Sequence, residues 1–192
     1  MFVHVANSFS IGLLGDSHNQ NDKIDEILNK HPEITQWIHG GDLTSFDYPS
    51  AADNNKTEEW YFKNKHKFVT LVKSNHDHVV AQKYINITHD FAWALAQHSK
   101  QVKIILPDLS ELLIYHSRPN DFWEFTDKTI PEREFIDEYP TDELTRAVVI
   151  FHNHSQFKKN FVAIDAELWS IGAVKDGNYA ILTENGIEFK KL

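Results

Sequence analysis

The chain has 192 residues, with 41% apolar and 24% charged side chains, values that suit one globular domain, 1–192, with a buried core. Its 19 basic and 28 acidic residues leave a net charge of −9, which argues against a general nucleic-acid binder, because such proteins replace counterions with a basic surface. The absence of cysteine excludes disulfide scaffolds, thiolate zinc sites and cysteine nucleophiles. The first ten residues lack the basic region and cleavage site of a signal peptide, and no apolar run approaches the ~20 residues that span a bilayer. A soluble, cytoplasmic protein is the expectation.

The short apolar run 11–14 predicts a buried strand, which stops at Gly15-Asp16-Ser17-His18. Ile24, Ile27 and Leu28 predict a helix over 22–30, capped by Asn21 or Asp22 and stopped by Pro32. A strand over 35–39 ends at Gly40-Gly41-Asp42. The polar stretch 43–56, with Pro49, reads as a long loop of the kind that often carries function. A helix with an aromatic face (Trp60, Tyr61) is expected over 57–65, and a strand over 68–72 leads to Ser74-Asn75-His76-Asp77. Thr88 would cap a helix reaching His98.

Segments 102–106 and 111–115 flank Pro107-Asp108 as a hairpin whose second strand delivers His116. The acidic run 132–143 reads as a solvated face, with Thr141 capping a short helical turn that contains Glu143. The run 147–151 is a strand ending at His152-Asn153-His154. Asp176-Gly177 and Asn185-Gly186 mark two hairpin turns. A β-α-β-α-β beginning and a hairpin-rich end predict an α/β domain with a mixed sheet or two packed sheets.

Twelve histidines stand out, because histidine is the commonest metal ligand and acid–base group near neutral pH. Their placement carries the argument. Separate strands hand over, at their carboxyl ends, to Asp16/His18, Asp42, Asn75/His76, His116 and His152/His154. Ligands of α/β sheets collect at such ends, so these side chains should converge. In Asp16-x-His18 and His152-x-His154 the two residues share parity and point the same way. Gly40-Gly41 permits the tight turn that presents Asp42.

The series Asp16-Ser-His18, Gly41-Asp42, Asn75-His76-Asp77, His116 and His152-Asn-His154 resembles the motifs of the calcineurin-like metallophosphoesterases: D-x-H, G-D, G-N-H-D, a lone histidine and G-H-x-H. Order and spacing match from Ile11 to His154. The stretch from His116 to Asp121, and the Ile171-Gly-Ala-Val-Lys-Asp-Gly ending, also resemble the small prokaryotic branch of that family. The resemblance implies two packed mixed β-sheets flanked by helices. It implies two divalent ions, the first held by Asp16, His18 and His154 and the second by Asn75, His116 and His152, with Asp42 and a water or hydroxide bridging them. His76 would assist the leaving oxygen and Asp77 would orient His76.

Oxygen and nitrogen ligands without thiolate suit Mn²⁺, Fe or Zn²⁺, with Ni²⁺ or Co²⁺ possible in vitro. The implied activity is metal-dependent hydrolysis of a phosphomonoester or phosphodiester, phosphatase or phosphodiesterase, on a phosphorylated small molecule or nucleotide. A catalytically silent metal-binding scaffold for protein partners is the alternative.

Ser74 and Phe151 depart from the motifs, standing where glycines are usual, and Phe151 is expected to add bulk beside the metals, narrowing the pocket or altering its specificity. Arg118 reads either as a contact to a substrate phosphate or as a surface ion pair. Trp60, Tyr61, Trp123 and Phe125 read as core or pocket wall in preference to stacking platforms. His4, His31, His39, His66, His78, His89 and His98 match no motif and take surface or packing roles.

Overall fold

A computed structural model describes residues 1–6, 8–46, 51–121 and 123–192. Two mixed sheets lie face to face. The first is built from β2 (Ser10–Leu14), β3 (Gln36–His39), β4 (Phe68–Leu71), β10 (Asn178–Thr183) and β11 (Gly186–Lys191), in the order β11-β10-β2-β3-β4. The second joins β1 (Phe2–His4), β5 (Gln101–Ile105), β6 (Glu111–Tyr115), β7 (Thr145–Ile150), β8 (Phe157–Phe161) and β9 (Ala166–Ser170), in the order β1-β5-β6-β7-β9-β8.

Alternation along the strands builds the layers. Ile11 and Leu13 of β2 and Leu112 and Ile114 of β6 point between the sheets, into a core shared with Val102, Val149, Phe151 and Ala180. The opposite parity faces outward under helices. Leu14, Trp37 and Leu71 meet α1 (Asn21–Lys30), α2 (Ala51–Asn64), α3 (Asn75–Lys83) and α4 (His89–Ala96). Leu113, Tyr115 and Val148 meet Phe135 of α5 (Glu132–Glu138). β6 is therefore buried along its whole length, as a strand covered on both faces must be. No helix among the described residues is long and apolar enough to cross a membrane.

Several local expectations change. α1 begins after Gln20 without a side-chain cap; Asn21 instead donates to Thr57 Oγ1 at 3.0 Å. The expected 43–56 loop is shorter, because α2 starts at Ala51; residues 47–50, Pro49 among them, lie outside the described set. Thr88 does cap α4, accepting from Phe91 N at 3.3 Å. The acidic run is not merely solvated: it forms α5, anchored by the fully buried Phe135. Among the described residues no helix follows directly on Thr141. The turn there is held by Asp142, whose Oδ1 accepts from Leu144 N at 3.0 Å and Thr145 Oγ1 at 2.9 Å. Asp176-Gly177 closes a 3₁₀ turn leading into β10, with Gly177 left-handed, whereas Asn185-Gly186 does join a hairpin, β10 to β11.

Candidate metal centre

β2, β3 and β4 run parallel in one sheet, and β6 and β7 run parallel in the other. Their carboxyl ends face one another across the sandwich, and the chain leaves each end through the residues singled out above. Asp42 lies at the centre. Its Oδ2 is 3.8 Å from His18 Nε2, 3.5 Å from His116 Nε2 and 3.8 Å from His152 Nδ1. Asp16 lies alongside, with Oδ1 3.8 Å from His116 Nδ1 and Oδ2 3.9 Å from His154 Nε2. Asn75 Oδ1 and His152 Nδ1 each approach His116 Nε2 to 2.8 Å. Three groups have ligand atoms close enough to share an ion: Asp16, His18 and His154; Asp42, His116 and His152; and His18, Asp42 and His76.

The backbone is bent to present these groups. His18, Asn19 and Asp42 all have positive φ, at 45°, 66° and 51°, a conformation that costs side-chain-bearing residues energy and persists only when neighbours enforce it. Ser17 N and His18 N both donate to Asp42 O, at 3.1 and 2.9 Å, and Asn19 N donates to Leu43 O at 2.9 Å. Gly41 turns at φ 102°, where a Cβ would stand 2.5 Å from Ser74 Cβ. His39 ties the same two loops: Gly41 N donates to its Nδ1 at 3.2 Å, which leaves Nε2 protonated to meet Ser17 Oγ at 3.2 Å.

Ser74, at the N-cap of α3, accepts from Asp42 N at 2.7 Å and donates to Asp77 Oδ2 at 2.9 Å. At the helix start His76 N donates to Asp42 Oδ1 at 3.1 Å, placing a carboxylate where the helix exposes unpaired N–H groups.

Burial and charge set the protonation pattern. Burial pushes His18 down to about 3, and burial followed by the charge of His116 pushes His152 down to about 4. Burial opposes charge on His116 too, but the Asp42 and Asp16 carboxylates and the bond to Gly40 O outweigh it and raise that imidazole to about 9. Asp42, despite its burial, is held well below the usual carboxylate range by His116. Burial and the adjacent Asp42 hold the Asp16 carboxyl well above its ordinary value.

The donor set fits divalent cations. Both oxygens of Asp16 are buried with no hydrogen-bond partner among the described residues. A cation would replace the second proton of His116: with Nδ1–H donated to Gly40 O at 2.9 Å, the Nε2 lone pair then becomes the ligand, as is usual for a ligating histidine. Asn75 Oδ1 then faces acceptors; turned over, the amide would donate to Asp42 Oδ1 and Oδ2 at 3.1 and 3.2 Å.

All seven expected ligands, Asp16, His18, Asp42, Asn75, His116, His152 and His154, are thus brought together, and His76 stands beside them, its ring 4.6 Å from that of His18. Asp77 is not aimed at this histidine. Its carboxylate accepts from Leu43 N at 3.2 Å, Thr44 N at 2.8 Å, Thr44 Oγ1 at 2.7 Å and Ser74 Oγ, so it clamps the segment that carries Asp42. Arg118 is the ion-pair alternative: its guanidinium meets Glu124, Glu134 and Glu138 at 3.3, 2.9 and 3.7 Å. Phe151 does not narrow the pocket. It is fully buried between the sheets, packed on Gly40.

His39 and Phe46 belong to the site although neither falls in a motif. The position of His39 directly before Gly40-Gly41-Asp42 was the available signal. Phe46, whose ring lies 4.4 Å from that of His76, sits in a polar stretch with none.

No family model and no curated protein matches the chain. Its fold recurs among solved structures. A hypothetical protein from Pyrococcus horikoshii OT3 is similar with a TM-score of 0.73 at 9% identity, over 96% of this chain and 88% of the other. A metallophosphoesterase from Sphaerobacter thermophilus gives 0.72 at 15% identity, over 97% and 89%. An archaeal phosphodiesterase gives 0.59 at 15%, over 96% and 100%. The fold of this chain is that of the calcineurin-like metallophosphoesterases.

Proposed function

We propose that this protein is a two-metal phosphoesterase that hydrolyses a phosphomonoester or phosphodiester. The observation that carries the reading is the convergence on Asp42 Oδ2 of three histidines from different strand ends, all within 3.8 Å. Asp16, His18 and His154 would hold one ion and Asn75, His116 and His152 the other, with Asp42 between them. Two divalent ions supply positive charge that polarises the phosphoryl oxygens and acidifies water. Manganese, iron or zinc suits the ligands.

The chain's own groups do the rest. Water oxygen bonds to phosphorus while the bond from phosphorus to the leaving oxygen breaks. His76 gives its proton to that oxygen and regains one from the water that attacked. The bond from His76 N to Asp42 Oδ1 fixes the first turn of the helix that carries His76, and Asp77 and Ser74 fix the segment that carries Asp42. A phosphorylated small molecule or nucleotide as substrate, one domain over 1–192 and a cytoplasmic location belong to the same reading.

The test is hydrolysis of p-nitrophenyl phosphate and bis(p-nitrophenyl) phosphate with and without Mn²⁺. Metal-dependent release of nitrophenol is expected, and the preferred ester distinguishes monoesterase from diesterase. No release from either ester by protein carrying two metals would count against the activity.

A further inference from the structure

The rim of the metal-ligating cluster carries aromatic surface that hydrolysis itself does not need. Trp123 meets Phe46 edge-on, with centroids 5.9 Å apart, and comes within 6.5 Å of the His76 ring. Phe125 stacks on His152, 4.4 Å away with the planes 25° apart. Trp123 and Phe125 nevertheless leave 47% and 56% of their surface exposed. They are held out by a tethered turn. Trp123 N donates to Asp121 Oδ1 at 2.9 Å, and Phe125 O accepts from Arg118 Nε at 3.4 Å.

Large rings kept in water beside a reactive centre are unfavourable for the free protein and mark a binding surface. Arg118 is committed to its glutamates, and the other charges of the turn, Asp121 and Glu124, are acidic, so the turn offers ring faces and no free positive charge.

We infer that the leaving group of the substrate carries a flat aromatic ring, as the nucleoside of a nucleotide does, and that Trp123, Phe46 and Phe125 bind it by stacking. The inference rests on the phosphoesterase reading. Phe46 and Trp123 adjoin His76, the residue placed to protonate the leaving oxygen, so their partner is the leaving group and not the phosphoryl group. Stacking accepts any base, since every base has a π-face, so the ring faces themselves predict low discrimination among bases.

The test compares AMP with ribose 5-phosphate, which share phosphate, sugar and leaving oxygen and differ only in the base. Binding of each to the full chain supplied with Mn²⁺ is measured by titration calorimetry, and hydrolysis is followed separately. AMP is expected to bind tighter by about tenfold or more, the scale of base–aromatic stacking. W123A and F125A should each bring that ratio towards one, whereas W93A, at an exposed tryptophan of α4, should keep it. Equal affinity of the parent for both ligands, or a ratio unchanged in the W123A/F125A double variant, would overturn the inference and leave hydrolysis standing. A base-dependent ratio without hydrolysis of any ester would overturn the phosphoesterase reading and leave the aromatic site.

Discussion

Gly40 and Phe151 occupy the same space by turns: a Cβ on Gly40 would lie 1.9 Å from Phe151 Cγ. The ring fills the gap left by the missing side chain, one residue before His152 and two before Asp42. A bulky residue at a motif position that usually holds glycine is thus accommodated within the core between the sheets.

Packing of this kind makes the two positions energetically dependent. Gly40→Ala should destabilise by about 3 kcal/mol through overpacking, and Phe151→Ala by about 3–5 kcal/mol through the cavity it leaves. The double variant should lose less than the sum by at least ~1 kcal/mol, since residues in contact couple. Urea unfolding of the four proteins measures this, and simple additivity would show that the contact is not what places the ring.

Ser74 stands at the other motif position where glycine is usual, and its hydroxyl ties Asp42 to Asp77. Ser74→Ala would leave the buried Asp42 N–H without its acceptor, at a cost of about 1–3 kcal/mol. It should also weaken metal binding, because Asp42 sits at positive φ and loses one of the bonds holding it there. Calorimetric Mn²⁺ titration beside urea unfolding reads both effects.

Much of this site was legible in the sequence because it is written at strand ends. A run such as 11–14 fixes which residue leaves the sheet first, so Asp16, His18, Asp42, Asn75, His116, His152 and His154 could be placed at one end without coordinates. What escaped was set by contacts across the sandwich. Nothing local distinguishes a Phe151 aimed at the pocket from one aimed at Gly40, or an Asp77 aimed at His76 from one clamping Thr44. α5 escaped for a related reason: its acidic surface masks the single anchor, Phe135, which stacks on Phe161 at 4.0 Å.

His39 gives the metal-free protein a defined acid sensitivity. Burial holds its imidazole down at about 3, against an ordinary value of 6.5. Between these values the unfolded chain binds a proton that the folded one refuses. Stability is therefore full above pH 6.5 and falls as pH drops from 6.5 towards 3. From pH 6.5 to 5 this one group accounts for about 2 kcal/mol. His39→Asn, which retains an acceptor for Gly41 N, should show a shallower loss over that interval in urea unfolding at each pH. An identical slope in parent and variant would refute the assignment.

His76 and the ligands should separate by assay. His76→Ala should slow p-nitrophenyl ester hydrolysis by about 10²–10⁴-fold, the usual scale of general acid assistance, with metal content unchanged. The effect should shrink for esters with more acidic leaving groups, which need less protonation. A uniform loss across leaving groups would make His76 a structural residue.

The central claim is that Asp42 joins two metal ions in one site, and metal stoichiometry tests it most directly. Protein saturated with Mn²⁺ and freed of excess by desalting, then analysed by atomic emission, should carry two ions per chain. Asp42→Ala should retain fewer than one while keeping its fold. Two ions retained by Asp42→Ala, or none bound by the parent, would contradict the account.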